Sequence, residues 1–411
     1  MGKRGNKSKD FLNVSVVTRK SASTRSQAGD SDVSDLESIA QSSIVGDPNY
    51  QDDEMIIPRS SFEEFLDSIM DKKNSLRIQA LDRFIHIMRT SIHIEEIKNY
   101  VDSLADAIEK NLHNQGEIIL RACTAAALFS VQTGDSIDSQ VETICRELGV
   151  LVKDHTMSEN VRSAAAQALS IIVILSVDHP DVIRNALDAL NFTWNSFKTT
   201  STTSSLFSAA VTAWSLVLFK ADDPTAREVF SQSPSKLVKY LESTNVDIRI
   251  AAGEALAALY ERGNDEGYDL QFVKSQHIKE LLETLAQDSA KYHAKKDKRA
   301  QRFTFRQIID IIYEDNCPEG SVNYGKNQVL RITSCYERLV YDALCACLQG
   351  SLNVHLQKNQ ILRDLFDLPE VQKTPVTTMT RQEKKEIRQL NNEIDKARKI
   401  QRNRQRDKKA Y

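Results

Sequence analysis

Apolar residues recur at three- and four-residue intervals from Phe62, Phe65, Leu66, Ile69 and Met70 onward, and the rhythm persists to about residue 290. That spacing marks one face of an α-helix, so the stretch reads as helix after helix. Ser61 and Glu64 stand at capping-box spacing at the head of the first run, which places the start of order near Ser61. Residues 1–60 show no sustained apolar period, are rich in Ser, Asp and Lys, and read as a disordered tail.

Four stretches inside the helical region share one pattern: "NSLRIQALDRFIHI", "EIILRACTAAALFSV", "ENVRSAAAQALSIIV" and "VDIRIAAGEALAALY". Each has an Arg near a helix start (Arg77, Arg121, Arg162, Arg249), small residues one turn later, then bulkier apolar ones. The gaps between those Arg residues are 44, 41 and 87, and a copy without the Arg, "SSLFSAAVTAWSLVLF" at 204–219, fills the double gap. A period in the low forties built from helix pairs is the signature of HEAT or armadillo-like repeats, in which stacking buries the apolar stripe. The expected fold is therefore an all-α helical solenoid over 61–290. Within it a repeat Arg is expected to pair with a nearby acid, as Asp247 would with Arg249, in preference to binding a ligand. Trp194 and Trp214 are expected in the core, and "KTTSTTSS" at 198–205 in a loop between repeats.

At residue 291 the pattern changes. "KYHAKKDKRAQRFTFR" places seven Lys/Arg and one Asp ahead of an apolar stripe of Phe305, Ile308, Ile309 and Ile312. Lys291, Lys295, Lys298 and Arg302 share one helical face, which is either solvated or aimed at phosphates. "SVNYGKNQVLRI" then reads as a small hairpin around Gly325. Ser334 with Glu337 starts a capped helix that Gly350 stops, and a further helix, "VHLQKNQILRDLFDL", ends at Pro369. Residues 291–368 are thus expected to form a compact, mainly helical unit closing the solenoid, followed by a linker at 369–379.

Thr380 and Glu383 again have capping-box spacing, and nothing from 381 to 409 is Gly or Pro. A helix of that span would be roughly 44 Å long at about 1.5 Å per residue. Ile387, Leu390, Ile394, Ala397 and Ile400 give it a narrow apolar stripe, beyond which it is polar all round. Charge makes this end distinctive. The chain has a formal net charge of −3, yet residues 396–411 hold eight Lys/Arg and one acid. Residues 1–26 carry +6, residues 27–54 carry −8, residues 381–411 carry +7, and the body is left with −8. Arg398, Arg402 and Arg406 stack at four-residue spacing and repel one another, so a polyanion that neutralised them would stabilise the helix. Phosphate-lined RNA is the obvious candidate.

Catalytic chemistry is absent from the pattern. There is no G-x-S-x-G elbow, no H-E-x-x-H, no Walker A loop and no paired C-x-x-C. No enzyme activity, cofactor, metal or small-molecule substrate is expected. The six Cys are scattered, no secretory leader is recognisable and no apolar run approaches a membrane span, so reduced thiols and no membrane partner are expected.

Three segments in order, "KYHAKKDKRAQRFTFRQIID", "HLQKNQILRDLFDL" and "KARKIQRNRQRDKKA", resemble the interferon-related developmental regulator family. The resemblance is loose over 60–411 and close over about 288–411. It implies an armadillo-like solenoid with a characteristic C-terminal domain. It also implies binding to translationally inactive ribosomes, with the C-terminal helix in the RNA-lined path of mRNA and tRNA. Lys396, Ala397, Arg398, Arg402, Arg406, Asp407, Lys408 and Ala410 match the family's tail pattern, whereas Ile400 and Gln401 replace a usual basic residue and alanine. On this reading the RNA-binding set is Lys396, Arg398, Lys399, Arg402, Arg404, Arg406, Lys408 and Lys409, with Lys291, Lys295, Lys298 and Arg302. The expected partner is the ribosome, through rRNA and ribosomal proteins, and the expected location is the cytoplasm, with the nucleus as a further one. The competing expectation is a nuclear transcriptional co-regulator that holds protein partners on the solenoid and uses the basic tail as a localisation signal.

Overall fold

The computed structural model describes residues 59–196, 204–287, 295–325 and 328–370. Of the expected tail at 1–60, residues 1–58 lie outside the described residues and 59–60 already belong to the first helix; nearly all of the loop at 198–205, the linker from 371 and the basic helix at 380–411 also lie outside them.

The described chain opens with α1 (Arg59–Ile69), α2 (Asn74–Thr90), the single turn α3 (Ile94–Ile97), α4 (Val101–Leu112) and α5 (Glu117–Thr133). It continues through α6 (Asp138–Lys153), α7 (Glu159–Ser176), α8 (Pro180–Asn195), α9 (Ser204–Leu218) and the short α10 (Asp223–Gln232). Then come α11 (Pro234–Leu241), α12 (Val246–Glu266), α13 (Gln276–Gln287) and α14 (Lys295–Tyr313). Helices pack in pairs, α1 with α2, α4 with α5, α6 with α7, α8 with α9, α11 with α12 and α13 with α14. The second member of each pair also packs on the second member of the next, so α2, α5, α7, α9, α12 and α14 make one continuous layer. The first five begin at residues 74, 117, 159, 204 and 246, which is the period seen in the sequence, and α14 begins at 295. The fold is an all-α armadillo-like solenoid.

Small residues set the spacing of that layer. Ala122, Ala125 and Ala126 of α5, Ala165 and Ala166 of α7, and Ala252 and Ala258 of α12 are all buried. Larger neighbours such as Leu128, Leu169, Leu216 and Leu256 are fully enclosed, each contributing about 1.5–3 kcal/mol relative to exposure. Gly253 marks the tightest approach, since a Cβ there would meet Ile308 Cδ1 at 2.8 Å and Phe305 Cε1 at 2.9 Å. Through this contact α14 joins the layer as its next helix, so the stack extends past residue 290 to Tyr313. Trp194 and Trp214 are fully buried and meet edge to face at 5.3 Å, as expected of core residues.

The repeat arginines are structural: Arg121 takes an acid partner as expected, whereas Arg249, Arg162 and Arg77 bond to backbone carbonyls. Arg249 is buried and donates from Nη1 to the Ser243 carbonyl at 2.7 Å and from Nε to Gln301 Oε1 at 3.1 Å, while Asp247 is exposed in the first turn of α12. Arg162 donates to the Val152 carbonyl at 2.9 Å and Arg77 to the Asp71 carbonyl at 2.8 Å. Arg121 bonds a carboxylate of the preceding pair, Asp82, at 2.7 Å. Backbone carbonyls at the ends of neighbouring helices need donors, and a long guanidinium supplies several at once.

After α14 the expected hairpin forms from β1 (Gly320–Gly325) and β2 (Gln328–Ile332), antiparallel with Gly320 opposite Ile332 and Val322 opposite Leu330. Val322, Tyr324, Leu330 and Ile332 are its buried residues, as period-2 alternation requires. Helix α15 (Cys335–Leu348) follows, then α16 (Leu352–Lys358) and α17 (Gln360–Leu365). Ser334 caps α15 by accepting from Glu337 N at 3.0 Å. The helix ends at Leu348, two residues before the expected glycine, with Gln349 in the positive-φ region at 54°. The single helix expected over 354–368 is broken at Asn359, whose Oδ1 accepts from Ile361 N at 3.0 Å and so starts α17 as an N-cap.

Candidate functional site

These last helices do not prolong the stack. α15 packs on α5, α7, α9 and α12, and α17 packs on α5, so the segment lies along the face of the continuous layer as a third layer. Two sets of polar contacts fasten it. At the α12 end, the Glu261 carboxylate accepts from Cys335 N at 2.8 Å and Tyr336 N at 3.0 Å, two of the free N–H groups of the first turn of α15. Burial pushes the Glu261 carboxyl above its ordinary value, and those two bonds oppose the shift. Beside it stand Cys317 and Cys335, whose sulfurs and a Glu261 oxygen all lie within 4.8 Å of one another. Arg338 donates from Nη2 to the Pro318 carbonyl at 3.0 Å and so stays next to Cys317.

At the α2–α5 end the contacts are neutral or to neutral acceptors. Arg89 Nε donates to the Cys347 carbonyl at 2.8 Å, near the C-terminus of α15. His355 Nε2 donates to the Arg89 carbonyl at 2.8 Å, and Asn359 Nδ2 donates to the Val131 carbonyl at 2.8 Å and lies 3.4 Å from His355 Nδ1. Gln132 turns the other way, donating to the carbonyls of Met88 and Ser91 and accepting from His93 N. Burial lowers the His355 imidazole to about 4, so it is neutral at physiological pH. Arg363, also buried, donates to the carbonyls of Leu356 at 2.6 Å and Pro369 at 2.7 Å, which folds the end of the described chain back onto α16.

Of the residues expected to bind RNA, Lys396, Arg398, Lys399, Arg402, Arg404, Arg406, Lys408 and Lys409 lie outside the described residues, as does Lys291. Lys295 and Lys298 are on the first turns of α14, where only the backbone is described, and Arg302 is half-buried one turn further on. The neighbouring Gln301 is buried and donates to the Leu285 carbonyl at 3.1 Å, fixing the rotation of α14. The fastening residues Glu261, Arg89, His355 and Asn359 carry no motif of their own. His355, Asn359 and Arg363 nonetheless fall within "HLQKNQILRDLFDL", one of the segments that carry the family resemblance.

The described residues thus form an armadillo-like stack with its own C-terminal segment laid along one face. The chain belongs to the interferon-related developmental regulator family: the profile described as "Interferon-related developmental regulator" matches residues 18–313, and that described as "Interferon-related protein conserved region" matches 359–410. It is 30% identical over 322 residues to interferon-related developmental regulator 2 of Mus musculus, covering 75% of this chain and 72% of that one. It is 28% identical over 361 residues to interferon-related developmental regulator 1 of Homo sapiens, covering 84% and 79%. Among solved structures, a designed armadillo repeat protein aligns over 59% of this chain and 98% of its own, at 18% identity and a TM-score of 0.41. No helix among the described residues is long and apolar enough to cross a membrane.

Proposed function

We propose that this protein is a ribosome-binding factor that keeps ribosomes translationally inactive, its basic segment entering the RNA-lined path of mRNA and tRNA and excluding both by occupancy. The observation that carries the reading is the placement of charge: 396–411 hold eight Lys/Arg and one acid, while the chain as a whole is net negative. A polyanion attracts that segment and repels the body, so contact is confined to the tail. Two further points support it. The region matched as the conserved C-terminal profile joins the fastening residue Asn359 to the basic block. α15 already lies against α5, α7, α9 and α12, so less of that face is open to the protein partners of the nuclear co-regulator reading.

Sucrose-gradient sedimentation of cell extract tests the proposal. The full chain is expected in ribosomal fractions, and a chain lacking 396–411 is expected at the top of the gradient with unchanged circular dichroism. If contact involves roughly six phosphates, log affinity falls against log salt with a slope of about −4 to −5. Changing Arg398, Arg402 and Arg406 to Gln, which holds helix propensity nearly constant, then makes the slope shallower by roughly two to three. Undiminished sedimentation of the truncated chain would overturn the reading in favour of contact through the solenoid.

A further inference from the structure

The α12 end of the third layer contains two thiols that its fastening role does not use. Cys317 precedes the hairpin, Cys335 is the first residue of α15, and their sulfurs lie within 4.8 Å of each other although the residues belong to different elements. Cys317 is half-buried, whereas Cys335 is buried. Both are free thiols.

The surroundings favour an anion at sulfur. The first turn of α15 presents its N-terminal dipole there, and Arg338 is clamped to the carbonyl of Pro318, the residue after Cys317. The hydrogen bond from Cys335 and the Arg338 charge lower the Cys317 thiol, against burial and the negative charges of Glu261 and Glu337. Cys335 moves the other way, raised first by that same shared proton. A metal ion is a poorer fit to this group. Both Glu261 oxygens already hold backbone N–H groups of α15, and a cation would sit against a guanidinium and a helix N-terminus.

We propose that Cys317 and Cys335 form a peroxide-reactive dithiol, with Cys317 attacking a hydroperoxide and Cys335 resolving the product to an intramolecular disulfide. In the first step the Cys317 thiolate sulfur bonds to one peroxide oxygen, the O–O bond breaks, and the leaving oxyanion takes up a proton. Cys317 becomes a sulfenic acid and the peroxide is reduced. In the second step Cys335 gives up its proton, its sulfur bonds to the Cys317 sulfur, and the S–O bond breaks, releasing hydroxide that leaves as water with that proton. The bridge would tie the start of α15 to the segment after α14, at the point where Glu261 holds it to α12.

The experiment treats the reduced full-length chain with hydrogen peroxide under native conditions, alkylates it, and maps unreduced peptides by mass spectrometry. A Cys317–Cys335 linked peptide is expected in the unmodified protein. Cys335→Ser is expected to stop at a Cys317 sulfenic acid that dimedone traps, and Cys317→Ser to leave Cys335 alkylatable after denaturation. Arg338→Gln is expected to slow consumption of Cys317 severalfold while leaving the linked product the same. Circular dichroism checks that each variant is folded. Cys345, also half-buried but raised by burial to about 11, is the internal reference for a thiol whose surroundings disfavour the thiolate. Consumption of Cys317 no faster than Cys345, or linkage of Cys317 to any other cysteine, would overturn the proposal. So would stoichiometric zinc in the purified chain that protects both thiols until it is chelated.

Discussion

The two ends of the third layer are fastened to the same stack by opposite chemistry. At the α12 end a carboxylate meets two backbone N–H groups, with an arginine and two thiols alongside. At the α2–α5 end an imidazole, two amides and an arginine meet backbone carbonyls, with no carboxylate among the contacts described. The difference follows from which helix end each must satisfy. The start of α15 exposes N–H donors and calls for an acceptor, whereas its end and the ends of α2 and α5 expose carbonyls and call for donors. It also predicts opposite responses to pH and a difference in redox sensitivity between the two ends.

The largest effect is expected at the neutral end. Asn359→Ala removes the donor to the buried Val131 carbonyl and the cap of α17 together. An orphaned buried carbonyl costs about 1–3 kcal/mol and a lost cap about 1 kcal/mol, so a loss of about 3 kcal/mol is expected in urea denaturation. A loss below about 1 kcal/mol would mean that water replaces the amide and that this end is loosely held.

Acid should act there next. His355 is lowered to about 4 in the fold, against about 6.5 in an unfolded chain. Between those values the unfolded chain binds the extra proton, so the stabilisation is fully present above about pH 6.5 and is lost as pH falls towards 4. It amounts to about 3 kcal/mol at most. His355→Gln keeps a donor for the Arg89 carbonyl and cannot titrate, so the stability difference between the two proteins should shrink or reverse across that window. Parallel curves would place the acid sensitivity elsewhere.

Glu261 should respond with the opposite sign and a smaller magnitude. Its carboxyl is raised by burial, so its contribution is greatest below the unfolded carboxyl value and declines as pH rises through the folded one. Glu261→Gln keeps one acceptor oxygen and should cost about 1 kcal/mol near neutral pH. The cost should grow as the medium is made more acidic within the folded range, which paired denaturation curves at two pH values would detect.

Much of this arrangement was legible in the sequence, and the reason for the remainder is physical. The stack could be read because apolar period and small-residue spacing are local properties, and so could the Ser334 cap and the Gly325 hairpin. The resting place of 335–368 could not. Its fastenings run from side chains to backbone carbonyls, as in Arg89 to Cys347 and Asn359 to Val131, and every residue has a carbonyl, so no complementary letter exists to be found. The same cause holds for Arg249, which donates to the Ser243 carbonyl, while its other partner is the side chain of Gln301, 52 residues on. The break at Asn359 was hidden for a related reason, because an Asn inside an apolar period reads as a polar helix position until a tertiary partner fixes it as a cap.

The smallest expected effect is the most informative about the comparison itself. If each end is an independent fastening, Asn359→Ala and Glu261→Gln should add within about 0.5 kcal/mol, since they share no partner and sit on different helices of the stack. If instead α15–α17 docks as one unit, losing either end frees the whole segment, and the second substitution then removes contacts already broken. The double variant would in that case be more stable than the sum predicts, by about 1 kcal/mol or more. Between the two ends α15 meets α5, α7, α9 and α12 with Val340, Leu344 and Leu348 buried. That middle section should hold when either end is cut, which favours additivity. A coupling beyond 1 kcal/mol would show that the polar ends, and not the apolar middle, decide whether the third layer stays in place.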